Sequence, residues 1–121
     1  MKRTNENITD HNVVRSTVDL LILKSLTWGA RHGYGISEWI EEATEQTLPM
    51  EEGTLYPALH RMANRGWVTA HWGISENKRR AKFYELTPKG RARLHSESAL
   101  WKRYVEAAAK ALWLQAAEES S

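Results

Sequence analysis

The most constraining feature of this chain is the pair Thr87-Pro88 and the stretch that follows it. A threonine ahead of a proline marks a helix start: the hydroxyl caps a free N–H, and proline at the first helical position lacks an N–H that would have no partner there. Beyond Gly90 no breaker occurs before Leu114, so the spacing predicts one helix from about Pro88 to Leu114, roughly 40 Å long at 1.5 Å per residue. Within it, Leu94, Ser98, Trp101, Val105, Ala108 and Leu112 recur in alternating steps of four and three, the pattern of a helix packed against another helix. A chain of 121 residues accommodates one compact domain with an appended element, not two independent cores. A small helical core does not need so long a helix, and the seam is therefore expected to meet a second copy of the chain.

The rest of the chain divides at its breakers. Apolar residues around Val14, Val18, Leu21 and Leu26 predict a first helix over about Ser16 to Trp28, with Gly29 as its C-terminal cap. Gly33-Tyr34-Gly35 forms a turn ahead of a second helix that turns Ile36, Trp39, Ile40 and Ala43 inward and Glu38, Glu41, Glu42 and Glu45 outward. Leu48-Pro49-Met50 reads as an extended connector. A third helix is expected to begin at Glu52 or Gly53, with Leu55, Leu59 and Met62 inward and Pro57 near its first turn. Trp67 to Trp72 alternates, Val68, Ala70 and Trp72 against Trp67, Thr69 and His71, as a half-buried strand does. A second strand, Ala81 to Leu86, completes a hairpin across the loop Gly73 to Arg80.

Helix, helix, extended link, helix, hairpin and long helix is the order of a winged helix-turn-helix, in which the third helix enters the DNA major groove and the hairpin touches the flanking backbone or minor groove. The fold class expected is thus mostly α with a small β-hairpin. Residues 1–13 are expected to form a polar tail, 14–87 the DNA-binding domain, 88–115 a dimerisation helix and 116–121 a frayed end. Charge is distributed accordingly. From Lys78 to Arg93 there are seven cations and one acid, a net of +6, whereas the remainder has ten cations and fourteen acids, a net of −4. A concentrated basic segment suits phosphate neutralisation and counterion release, although a basic run alone also serves as a solvated loop.

Several strings carry a resemblance: Leu20-Leu21-Ile22-Leu23, His32-Gly33-Tyr34-Gly35-Ile36, Glu51 to Arg61 (EEGTLYPALHR) and Arg79 to Thr87 (RRAKFYELT). Together they resemble the PadR-like family of bacterial winged-helix transcriptional repressors, over about Thr17 to Val105. A single C-terminal helix, short beside the large helical extension of other members, looks like the family's smaller-bodied subgroup. Asn77-Lys78 stands where a glycine is frequent, and Phe83 where tyrosine is usual. The resemblance implies a homodimer that blocks transcription at a pseudo-palindromic operator in double-stranded DNA.

Carried onto this chain, the resemblance implies that Tyr34 and Gly35 approach a phosphate, for which a helix N-terminus, a glycine and a hydroxyl are chemically suited. Turn chemistry with a core tyrosine is the alternative. Gly53, Thr54, Tyr56, Pro57 and His60 are expected on the exposed face of the third helix. Thr54 and Tyr56 are candidates for phosphate or base-edge contact, and Pro57 for a thymine methyl. Arg61 either reaches a phosphate or pairs with an acid such as Glu42. Lys78, Arg79, Arg80 and Lys82 are the candidates for backbone or minor-groove contact at the wing.

Six tryptophans are many for so small a chain. Trp39 and Trp67 are expected in or beside the core. By resemblance, Trp72 and Trp101 are candidates to line a pocket for a small, flat hydrophobic or aromatic effector at the dimer centre, whose binding releases DNA, with Trp101 as a plain interface anchor the alternative. The dimer contacts expected are Leu94, Trp101, Val105, Ala108 and Leu112.

Other functions have less support. Absence of cysteine excludes disulfides, thiolate metal sites and a cysteine nucleophile, and fits a reducing cytosol. The five histidines show no paired ligand spacing, and no glycine-rich phosphate loop is present, so neither a metal, a cofactor nor an enzyme is expected. A winged helix used only for protein contact, without DNA, is the alternative function. No apolar run approaches the roughly 20 residues of a membrane span, and the N-terminus lacks a signal-peptide core, so the chain is expected in the cytoplasm without a membrane partner.

Overall fold

The computed structural model describes residues 12–114, so the expected frayed end and most of the expected polar tail lie outside the described residues. Helix α1 (Asn12–Ser25) begins inside the stretch expected as tail and stops short of Trp28. Its end tightens rather than continuing: the amides of Leu26, Thr27 and Gly29 donate to the carbonyls of Leu23, Lys24 and Leu26, three residues back, and Gly29 leaves at φ 145°. The Arg31 Nε donates to the Ser25 carbonyl at 2.7 Å, placing a cation where the helix dipole is negative.

A two-residue strand β1 (Arg31–His32) follows, then α2 (Gly33–Ala43) and α3 (Glu52–Asn64). The link between the two helices turns through Glu45 and Gln46, both at positive φ, and is fastened by Ser37 Oγ donating to the Met50 carbonyl at 3.2 Å. Ile22 and Leu23 of α1 and Leu26 just past its end meet Ile36 and Ile40 of α2 and Leu55, Leu59 and Met62 of α3 in one buried core. The inward face predicted for α3 is the one the core uses; on α2 Ile36 and Ile40 are buried and Trp39 packs at the edge, but Ala43, expected inward, is exposed at the helix's last residue, and Trp67 lies within the core.

Strands β2 (Val68–Ile74) and β3 (Arg80–Leu86) form the hairpin. The sheet has three strands, in the order β1-β3-β2, all antiparallel, so β3 is its centre and the expected two-stranded hairpin gains an edge. The predicted alternation of β2 fails beyond Val68: Trp67 and Val68 are both buried, whereas Thr69, Ala70, His71 and Trp72 are all exposed. Beyond Val68 neither face of β2 packs on the core.

Helix α4 (Pro88–Leu112) begins as predicted. Thr87 Oγ1 accepts the Gly90 N–H at 2.9 Å and itself reaches the Gly66 and Trp67 carbonyls at 2.7 and 3.0 Å. The stripe Leu94, Ser98, Trp101, Val105 and Ala108 is half-buried within the single chain, and where α4 meets α1 Trp101 Nε1 donates to Thr17 Oγ1 at 2.8 Å. Only Leu112, beyond that packing, stays 71% exposed. Part of the seam thus also meets α1 within the chain, through Trp101 and Thr17. Leu100 and Tyr104 on a neighbouring stripe, and Leu114 past the helix's end, remain exposed.

Candidate nucleic-acid interface

His32 joins the sheet to α2. Its backbone is extended, and its Nδ1 accepts the Gly35 N–H at 3.0 Å, which makes it the N-cap of the helix. The Gly35 N–H expected to face a phosphate is therefore already satisfied by a side chain, and the donors left at this end belong to the residues before it. Tyr34 stands out from the same turn, 70% exposed. Gly33 is buried under the Tyr56 ring: a Cβ there would overlap the Tyr56 Oη and lie 2.6 Å from Cζ. Absence of a side chain at Gly33 thus lets α3 lay an aromatic ring across the start of α2.

On α3, Gly53, Thr54, Tyr56, Pro57 and His60 are exposed while Leu55, Leu59 and Met62 are buried, as the spacing predicts. Pro57 lies further in than expected, at the sixth residue of the helix, which costs the bond its N–H would give the Gly53 carbonyl. Arg61 pairs neither with Glu42 nor with open solvent. Its Nη2 donates to Asp19 Oδ1 of α1 at 2.6 Å, with both side chains mostly covered. Burial pushes the Asp19 carboxyl above the ordinary carboxylate range, outweighing the downward pull of Arg61. The guanidinium is held on the α1 side of α3.

The wing turns through Ser75, whose amide donates to the Arg79 carbonyl and whose carbonyl accepts the Lys78 amide, both at 2.8 Å. Lys78 sits at φ 62°, a left-handed conformation that glycine adopts without strain, at the place where the family resemblance leads one to expect glycine. Trp72 lies on the wing with the Arg80 guanidinium 4.5 Å and the Lys82 ammonium 6.0 Å from its ring. Phe83 stands between two imidazoles, 5.3 Å from His32 and 6.1 Å from His71.

These elements converge. Tyr34 of α2, Tyr56 of α3 and Trp72, Arg79, Arg80 and Lys82 of the wing line one groove of about 640 Å³, with Glu38 and Glu76 as its acids. Gly35, Gly53, Thr54, Pro57, His60, Arg61 and Lys78 lie outside that lining. Trp101 does not line it either, so the two tryptophans expected to share a pocket are in separate settings within the chain. His32 and Glu76 were not legible as site residues: histidine is not among the usual N-caps, and nothing local brings residue 76 to residue 32.

Two hydroxyls, a helix N-terminus and three cations around exposed ring faces are donors suited to a sugar-phosphate backbone. Among the described residues no cluster of three His, Asp or Glu could hold a metal ion, and no helix is long and apolar enough to cross a membrane.

Comparison with known proteins agrees with this chemistry. The chain is 31% identical over 74 residues to the negative transcriptional regulator PadR of Bacillus subtilis, covering 61% of this chain and 41% of that relative. Its fold is similar to a transcriptional regulator from Clostridium thermocellum, with a TM-score of 0.73 and 28% identity over 88% of this chain and 98% of that one. It is also similar to Bacillus subtilis PadR solved in complex with operator DNA, with a TM-score of 0.59 and 29% identity over 66% of this chain and 45% of that one. The model of the transcriptional regulator PadR-like family matches residues 22–96, from the core of α1 into α4. With that match over the same elements that build the groove, the chain belongs to the PadR-like family of transcriptional regulators, DNA-binding proteins rather than enzymes.

Proposed function

We propose that two copies of this chain act as a homodimeric repressor that grips a pseudo-palindromic operator in double-stranded DNA, each copy inserting α3 into the major groove and laying its wing on the flanking backbone. The observation that supports this most is the meeting of Tyr34, Tyr56, Arg79 and Arg80 around one groove. Thr54, Pro57 and His60, exposed on α3, are the base-edge candidates, while Gly35 and Gly53 allow close approach of the backbone. Lys78 at the tip and Lys82 on β3 extend the cationic surface. Arg61 serves to dock α3 on α1 through Asp19. Such a chain works on chromosomal DNA in the cytoplasm.

Arg79→Ala with Arg80→Ala is the test. Gel-shift titration on the protein's own promoter region, repeated over a range of salt, is expected to give weaker binding to every sequence and a salt slope reduced by about one for each phosphate that the wing no longer neutralises. An unchanged slope would show that the wing is off the DNA.

Dimerisation is proposed through α4, over residues 88–115. Exposed Leu100 and Tyr104, next to the half-buried Trp101 and Val105, give a partner helix an apolar strip. Tyr104→Asp is expected to yield a folded monomer in sedimentation with poor operator affinity, and a persisting dimer counts against this face. A small planar aromatic effector completes the reading. Trp72 and Trp101 are its candidate contacts, and their separation within one chain means that a shared pocket would need the second copy. Absence of tryptophan quenching across a broad panel of planar compounds, with DNA affinity unchanged, would remove the effector from the scheme.

A further inference from the structure

One side chain touches both halves of the groove. His32 closes β1 and caps α2, and in the sheet it is paired with Phe83 of β3, whose ring lies 5.3 Å away. Because its Nδ1 accepts the Gly35 N–H at 3.0 Å, that nitrogen carries no proton, and the single hydrogen of the neutral imidazole lies on Nε2. Nε2 in turn lies 3.5 Å from Oε1 of Glu76, in the turn of the wing. The imidazole is 17% exposed and the carboxylate 84%, so a seated ring reaches out to a loop that otherwise stands in solvent.

We propose that His32 is a positioning residue of the DNA-binding face: through Glu76 it ties the wing turn to the N-terminus of α2, and so holds Arg79 and Arg80 opposite Tyr34. The tie answers a mechanical need. A hairpin whose residues beyond the base are mostly exposed pivots there, whereas phosphate contacts from α2 and from the wing must form together, and a pre-set wing lowers the ordering cost of binding. Glu76 is also an acid among cations in a groove proposed for a polyanion. By charge alone it weakens DNA binding, and its contact with His32 gives it a positional role instead. The wing's own backbone N–H at Glu76 and the His32 imidazole draw its carboxyl below the ordinary range, consistent with a carboxylate held by donors.

This proposal rests on the wing reading given above, and its test separates the two. Glu76→Gln and Glu76→Ala both remove the charge, but only glutamine keeps an oxygen for Nε2–H. His32→Asn keeps a good N-cap acceptor for Gly35 and is too short to reach residue 76. Affinities of the full-length variants for a fluorescent duplex from the promoter region are compared at one salt concentration, with melting temperatures alongside. E76A is expected to bind about three-fold more weakly than E76Q, in keeping with an exposed pair. H32N is expected to lose a similar factor from wild type and nothing further in the E76A background, with its melting temperature retained. Equal affinities of E76A and E76Q, or an H32N loss undiminished in E76A, overturn the tie while the wing reading stands. An unchanged salt slope in the Arg79→Ala, Arg80→Ala variant overturns both.

Discussion

Gly90→Ala sets two physical effects against each other. Replacing a glycine by alanine inside a helix is worth about 1 kcal/mol in helix propensity, so local reasoning expects a more stable protein. At Gly90, however, a Cβ would overlap the Trp67 carbonyl oxygen, lie 2.9 Å from its carbon and come within 3.0 Å of Leu86 Cδ1. Trp67 cannot retreat freely, since it is buried and its carbonyl accepts the Thr87 amide at 3.1 Å and the Thr87 hydroxyl at 3.0 Å. Relief therefore requires the start of α4 to move off Trp67 by about 1 Å or more, to reach ordinary van der Waals separation. Overpacking of this kind costs about 1–3 kcal/mol. Loosening the Thr87 cap adds about 1 kcal/mol, and after the propensity gain a net loss of about 2 kcal/mol remains. For a domain of this size that lowers the melting temperature by on the order of 10 °C. The assay is thermal and urea unfolding followed by circular dichroism at one protein concentration. Gly53→Ala is the matched control: nothing lies within 4 Å of a Cβ there, so it is expected to gain roughly 0.5–1 kcal/mol. G90A melting at or above wild type would refute the packing argument, as would G53A losing as much as G90A.

Two further outcomes follow from the site. Gly33→Ala is expected to push the Tyr56 ring off the start of α2, since the clash is with the far end of that side chain; stability should hardly change while promoter DNA binds more weakly by about 1 kcal/mol, and wild-type affinity in G33A would remove Tyr56 from the interface. For Asp19, burial raises the folded-state pKa above 3.8, so the folded protein takes up the proton first, and wild type should gain stability relative to Asp19→Asn as the pH falls from neutral to about 4. Urea unfolding across that range checks the sign; a relative loss in acid would mean that Arg61 dominates and holds the carboxylate charged.

What could be read from the sequence is what neighbours along the chain decide. Thr87 caps the residue three places on, Leu55, Leu59 and Met62 share a helix face whatever they pack against, and the basic segment from Lys78 onward is basic in any fold. Periodicity, however, names a face and not its occupant. The stripe through Leu94 and Trp101 is a helix-packing seam, and α1 of the same chain satisfies that spacing as well as a second copy would. Arg61 illustrates the same gap from the polar side: its partner Asp19 lies 42 residues away, while Glu42, an acid on the adjacent helix, is no worse a candidate by spacing. The wing shows where a correct pattern outlasts its cause. Alternation in β2 orders the side chains about the strand, but burial follows only while the strand runs over the helices, and it ends at Val68. Beyond that point Trp72 has no core to enter, and its ring is engaged by Arg80 and Lys82 instead. An indole that hydrophobicity assigns to an interior is thereby placed on a cationic surface, against two of the charges proposed to meet a DNA backbone.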